Sequence, residues 1–249
     1  MRLERHPEAE ISRLGKTLSV WCGDSPFGKF VDRDTTIKLS KDIVCFDLKN
    51  LDSVPELQAV CLFIITDFIW QEVQRDRTQM KIVVLDEAWR LLQSDSATQF
   101  IGDIFRTFRK YRASAIAISQ TIDDFSKSKV AQAVLPNSSI KWILRQKGDQ
   151  EEMRKVLELN RREMDLISRL TSIKGQFSEC FLMSENKRQV VRIEATPLEY
   201  WLFTTDPSDL IEIERETTAN PIATNLEILK RLAQKFPKGS SFKTKGELV

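Results

Sequence analysis

Two adjacent carboxylates, Asp86 and Glu87, close the apolar run of "KIVVLDEAW" (Lys81 to Trp89). If that run is a buried strand of an open α/β sheet, both acids emerge at its carboxyl edge, where such sheets bind ligands. The pairing suits phosphoryl transfer, which depends on positioning and charge compensation. One carboxylate holds the water shell of Mg²⁺ and its neighbour polarises the attacking water. Asp86 fits the first role and Glu87 the second, the Walker B arrangement. The plainer alternative is a strand that ends in a solvated acidic turn. The next apolar run, "AIAISQ", ends in Gln120, an amide suited to sensing a γ-phosphate or a water at the same edge. Before it, "FRTFRKYR" places Arg106, Arg109, Lys110 and Arg112 on or just beyond an amphipathic helix. Arg109 has the chemistry of a finger that reaches a phosphate in a neighbouring subunit. Arg106 and Arg112 read more simply as a solvated basic face.

An acid pair of this kind needs a phosphate cradle, and "GDSPFGKF" (Gly23 to Phe30) spells G-x-x-x-x-G-K. Phe30 then stands where a Ser or Thr would ligate magnesium. A working loop follows a buried strand and opens a helix whose amides hold the phosphates. Upstream, "TLSVWC" is a modest strand candidate; downstream, "VDRDTTIKL" is β-branched, polar and non-periodic, and runs toward another strand. Pro26 also removes an amide. The segment therefore reads as a turn-rich connection. "RLGKTLSV" is a second decoy, because the first glycine of its loop would fall at Glu10.

The elements that must position these residues follow from apolar periodicity. "DIVCFDL" (Asp42 to Leu48), "KIVVLD", "SAIAIS" and "SIKWIL" (Ser139 to Leu144) are short apolar runs of the buried-strand type. Helical stripes separate them, one starting at Pro55 and another carrying Phe100, Ile101, Ile104, Phe105, Phe108 and Tyr111. The alternation predicts an α/β fold with a mostly parallel sheet flanked by helices. "QFSECFLMS" and "QVVRIEA", around the polar "ENKR", predict an antiparallel hairpin. Between sheet and hairpin a helical segment spans about 149–171, opened by Asp149 as N-cap with Glu152 in capping-box position. The stretch 237–249 is polar, with Gly and Lys, and is expected to be a flexible tail.

Composition excludes several classes. The 249 residues carry 38 Lys plus Arg against 36 Asp plus Glu, a formal charge of +2 that gives no global pull toward nucleic acid. Cys22, Cys45, Cys61 and Cys180 form no C-x-x-C pair, so neither zinc nor a disulfide framework is expected, and a reducing cytoplasm fits. The start "MRLERHPEAE" is too polar for a signal peptide, and "VCLFIITDFIW" is too short to span a bilayer and is broken by Asp67. His6 is the only histidine and lies among charged residues, which leaves no basis for histidine chemistry.

Taken in order, "GDSPFGKFVD", "ELQAVCLFIITDFIW", "KIVVLDEAWRLL", "FRTFRKYRASAIAISQTIDDF", "WILRQK" and "EYWLFTTDP" resemble landmarks of the ATPases that power conjugative type IV secretion, the TraC branch in particular. The resemblance runs from about residue 12 to 207. It implies a RecA-like P-loop NTPase fold over 1–236, working as a hexamer with other type IV secretion components, with ATP and Mg²⁺ as cofactors. It implies Walker B acids at Asp86 and Glu87, with Asp86 toward Mg²⁺ through water, an Arg-Lys motif at Arg109 and Lys110, and a sensor at Gln120. "YWLFTTDP" resembles the family's terminal motif, although a packing role for Tyr200, Trp201 and Phe203 explains it equally well. Family members carry a large amino-terminal domain, a strand and a full phosphate loop upstream of the region matched here. The expectation is thus the carboxyl-terminal part of a motor that energises pilus assembly and transfer, peripheral to the inner membrane, lacking its phosphate-loop half and hydrolysing little ATP alone. A non-catalytic module that binds ATPase subunits is the alternative, and DNA binding ranks below both.

Overall fold

The computed structural model describes residues 3–35, 42–51, 53–87, 95–122, 131–146 and 150–240. It divides into two units, Met1–Ile118 and Ser119–Val249.

In the first unit, α1 (Ala9–Ser19) leads through a turn to the four-residue α2 (Gly28–Val31). The long α3 (Pro55–Arg75) starts with proline in its first turn, where the missing amide has no helical partner to lose. Its carboxyl end is capped by Lys81, whose Nζ donates to the Val73 carbonyl at 3.2 Å and to that of Asp76, placing a cation against the negative end of the helix dipole. Lys81 also opens β1 (Lys81–Leu85), which pairs in parallel with β2 (Ala113–Ala117) from Lys81↔Ala113 to Leu85↔Ala117. Between the strands, α4 (Asp95–Thr107) and a 3-10 turn (Phe108–Tyr111) bury Ile101, Ile104 and Phe108. Trp70 of α3 stacks on Phe108 at 6.0 Å and meets Tyr111 edge-on at 5.9 Å, fixing the turn to the helix. Side chains alternate along β1, so Leu85 is buried while Ile82 and Val84 are exposed on the opposite face.

Two expected strands are absent here. Residues 42–48 have no regular structure; Ile43 is 88% exposed, and Phe46 packs edge-on against Phe68 of α3 at 6.3 Å. The run covers a helix instead of joining a ladder. "TLSVWC" is helical through Ser19 and then turns.

In the second unit, α5 (Ala131–Asn137) precedes β3 (Ile140–Ile143), and α6 (Gln150–Val156) and α7 (Arg161–Ser168) follow. Then come β4 (Ser172–Ile173), β5 (Phe177–Ser184) and β6 (Arg188–Ile193). β5 and β6 form the expected hairpin, antiparallel from Ser178↔Ile193 to Met183↔Arg188. β3, expected in a parallel sheet, pairs antiparallel with the other edge of β5. That register sets Ile143 opposite Phe181 on the face covered by Met153, Leu157, Leu159, Ile167 and Leu170, so burial of a shared apolar face selects it. Asp149, the expected N-cap of α6, lies outside the described residues. α7 carries a full capping box, Asn160 with Glu163, and the half-shielded Arg188 reaches Glu163 at 3.1 Å.

Three helices end the unit: α8 (Pro197–Phe203), α9 (Pro207–Ala219) and α10 (Asn225–Lys235). Capping boxes at Thr196/Glu199 and Thr224/Glu227 start α8 and α10, and Trp201, Ile228, Leu232 and Ala233 form their core. The first residues of the stretch expected to be a tail, 237–240, are described. Gly239 donates to the Phe236 carbonyl at 3.1 Å and Ser240 is bonded to Asp209, while 241–249 lie outside the described residues.

Candidate functional site

The acid pair stands where the sequence places it, at the carboxyl end of a strand with a parallel neighbour. Ile118 donates to the Leu85 carbonyl at 2.9 Å, so the ladder continues to the last residue of β1 before the chain turns. Asp86 is then exposed and Glu87 half-buried, and the Glu87 amide donates to Asp86 Oδ1 at 3.0 Å. Glu87 has φ 51°, a left-handed conformation that costs a residue with a Cβ about 1–2 kcal/mol. Such outliers cluster where a side chain must be held in a set direction. Asp86 offers hard oxygen donors beyond the one bond it makes, which fits a hydrated Mg²⁺ touched by one carboxylate. No cluster of three or more metal-ligating side chains exists among the described residues.

"GDSPFGKF" does not fit a triphosphate. No strand precedes it and only four helical residues follow. Its amides are already committed: Gly23 N–H donates to Asp32 Oδ2 at 2.7 Å, Gly28 N–H to Ser25 Oγ at 3.0 Å and Lys29 N–H to the Ser25 carbonyl at 3.2 Å. Asp24 pairs with Arg33 at 2.7 Å, so the turn holds carboxylates where an anion would have to enter. Each glycine has a local cause. Gly23 takes φ 59°, and Gly28 packs so closely on Cys22 that an added Cβ would lie 2.5 Å from the Cys22 carbonyl carbon. Phe30 is 73% exposed.

Arg109 and Lys110 lie on the 3-10 turn that feeds the start of β2, and the Lys81 amide donates to the Arg112 carbonyl at 3.2 Å. They therefore stand at the amino-terminal end of the strand pair, with the five residues of β1, roughly 16 Å, between them and the acids. Within one copy the structure does not bring them to Asp86 and Glu87. Both are exposed, with no ion-pair partner among the described residues. Arg106 makes only a loose exposed pair with Asp103 at 3.9 Å. Arg112 is not simply a solvated cation: at φ 54° its guanidinium donates to the Thr78 carbonyl at 2.8 Å. Arg77, which the sequence does not single out, sits over the Tyr111 ring at 4.8 Å. It is 32 residues from Arg109 in sequence, and only the pairing of β1 with β2 reveals their proximity. Gln120 follows β2 by three residues and is exposed in the second unit.

Comparison with known proteins identifies relatives of the chain. Residues 6–235 match the sequence model of the TraG P-loop domain family. Protein TraC of Escherichia coli K12 is 28% identical over 213 residues, covering 80% of this chain and 24% of TraC. The type IV secretion system protein virB4 of Bartonella quintana is 23% identical over 176 residues, covering 70% of this chain and 22% of that protein. The solved structure of VirB4 of Thermoanaerobacter pseudethanolicus superposes with a TM-score of 0.65 at 27% identity, covering 80% of this chain and 53% of that one. The chain thus spans about a quarter of the length of these curated relatives. With an acid pair ending a parallel strand and a family match across nearly its whole length, the chain belongs to the TraG P-loop domain family and is similar to part of TraC and of VirB4.

Proposed function

We propose that this chain is the carboxyl-terminal part of a TraC-like motor that energises pilus assembly and conjugative transfer, carrying the catalytic acids without a phosphate cradle of its own. The observation that carries this is the pair Asp86 and Glu87 at the carboxyl end of β1, with Glu87 in a left-handed conformation. Asp86 would hold a hydrated Mg²⁺, which compensates phosphate charge when bound. Glu87 would orient and deprotonate the attacking water, and Gln120 would sense the γ-phosphate. Arg109 and Lys110, at the far end of the same strands, would serve a nucleotide at a neighbouring subunit, in keeping with a hexamer. Docking at the inner membrane with other secretion components belongs to the same reading. Among the described residues no helix is long and apolar enough to cross a membrane.

The test titrates Mg·ATP into the purified chain calorimetrically, then measures hydrolysis with and without a full-length relative whose own Walker B glutamate has been replaced. No appreciable binding alone, and hydrolysis in the mixture that Glu87→Gln abolishes, is the expected result. Rapid Mg²⁺-dependent hydrolysis by the isolated chain would overturn it: if Glu87→Gln abolishes that activity the chain has a cradle of its own, and if the activity survives Glu87 does not carry the chemistry. The self-bonded "GDSPFGKF" turn favours one second reading, a module that binds ATPase subunits without catalysis. Co-elution with the relative without any restored hydrolysis would select that reading.

A further inference from the structure

Away from the acid pair, the second unit contains a side chain that neither motif nor family reading accounts for. Asp209, in the first turn of α9, is fully buried. Its Oδ2 accepts from Tyr200 Oη at 2.5 Å and Thr204 Oγ1 at 2.9 Å; its Oδ1 accepts from the Ser240 amide at 2.7 Å and Ser240 Oγ at 2.6 Å. Lys174, from the β4–β5 turn, bridges to Asp206 at 2.6 Å and lies 3.7 Å from Asp209. A buried carboxylate is tolerable only when its lone pairs are filled in this way.

Two of those bonds come from the far end of the chain. Ser240 lies 31 residues from Asp209 and closes a short strap, Pro237–Ser240, that runs back from α10 over the α8–α9 junction. The strap is shaped for its seat. Its other end is held by Trp201, whose Nε1–H donates to the Phe236 carbonyl at 2.7 Å. Gly239, at φ 94°, passes so close to Tyr200 Oη that no Cβ fits there, and Gly175 leaves no room for a Cβ beside the Lys238 carbonyl. Few apolar side chains lie in the strap itself, so polar bonds to Asp209 supply its hold.

We propose that Asp209 is the clasp of this strap, an element that opens separately from the helices, so that Pro237–Ser240 lies on the α8–α9 junction while the clasp is shut and leaves it when the clasp opens. With the clasp shut, the strap is tied to Asp209 and, through Lys174, to the β4–β5 turn; with it open, the last tie is at Phe236. The backbone around Phe236 stays in place in either state, because the Trp201 bond and the packing of Leu232 do not involve Asp209.

Hydrogen exchange read by mass spectrometry on the full chain tests this, with tryptic cleavage after Lys238 as a second readout. In Asp209→Asn, the amides of Gly239 and Ser240 should exchange at least about ten times faster and cleavage after Lys238 should accelerate, while amides of Asn225–Lys235 keep their protection. Ser240→Ala, which removes one bond and leaves Asp209 ionised, should give a smaller rise confined to the strap, and it covers the case in which Asp209→Asn fails to fold. Unchanged strap exchange in Ser240→Ala together with unchanged exchange or misfolding in Asp209→Asn overturns the proposal. So does loss of protection throughout α10 in Ser240→Ala, which would make the strap part of one cooperative core.

Discussion

Gly28→Ala separates the two explanations of the G-x-x-x-x-G-K spacing. An alanine Cβ at this position would lie 2.5 Å from the Cys22 carbonyl carbon, 2.6 Å from its oxygen and 2.6 Å from the Gly23 oxygen. Carbon contacts are comfortable at about 3.5 Å, so the start of α2 and the preceding turn must part by roughly 1 Å. All three obstructing atoms are backbone, and the turn is tied by Gly23 to Asp32 and by Asp24 to Arg33, so it cannot yield by a rotamer change. Overpacking of this kind costs about 1–3 kcal/mol, which for a chain of this length lowers Tm by roughly 2–12 °C. The assay is thermal and urea unfolding followed by circular dichroism and by tryptophan emission, to which Trp21, packed on Phe27 at 4.6 Å, contributes. Gly23→Asn is the control: nothing lies within 4 Å of its Cβ and asparagine tolerates φ 59°, so it should be nearly neutral. If the glycine instead existed to admit a phosphate to the backbone, Gly28→Ala would keep its stability and lose Mg·ATP binding. An unchanged unfolding midpoint would refute the packing account.

Glu87→Asn should hold or raise Tm by about 1–3 °C, because asparagine accepts φ 51° more readily than glutamate, while abolishing any hydrolysis restored by a partner; a clear fall in Tm would mean that Glu87 is not strained. Arg188→Ala should cost about 1–2 kcal/mol in urea unfolding, since it strips the charged partner from the buried Glu163, and Arg188→Lys should recover part of the loss; no change would show that the Asn160 backbone amide alone satisfies that carboxylate. Asp209, faced by Lys174, Tyr200 and the adjacent Asp206, has its pKa lowered from 3.8 to about 2 although burial alone would raise it, because bonds from Ser240, Tyr200 and Thr204 outweigh that burial. A depressed carboxylate adds stability above its unfolded value, lost as pH falls through the folded one. Melting scans should therefore show a loss between about pH 4 and pH 2, and Asp209→Asn should remove that part of the slope.

Local sequence specified what local chemistry decides. Pro55 and the capping boxes at Asn160, Thr196 and Thr224 start helices where their side chains say, and "ENKR" between two alternating runs makes the hairpin of β5 and β6. Asp86 and Glu87 were legible because an apolar run that ends in acids places them at a strand end whatever the sheet around it. Partnership was not legible. "DIVCFDL" and "SIKWIL" have the same strand-like composition, yet one covers α3 through Phe46 while the other finds β5, and composition does not record which edge is free. The clasp at Asp209 escaped for a similar reason: Tyr200, Thr204, Lys174 and Ser240 are scattered over 67 residues, and no periodicity joins them. Arg109 and Lys110 suggest function by their chemistry, but only the parallel register of β1 and β2 shows that they lie at the opposite end of the strands from the acids.

That opposition has a consequence for inheritance. In an assembly whose cradles come from other chains, a copy that has lost Arg109 harms the nucleotide beside its neighbour and spares the one its own acids serve, whereas a copy that has lost Glu87 harms only the nucleotide its own acids serve. A cell expressing both alleles would then regain some sites, because a junction that takes its arginine from one copy and its acid from the other is whole. Two variants of a single residue would never rescue each other in this way, so crosses between alleles can map the direction in which copies stack before any assembled particle is seen.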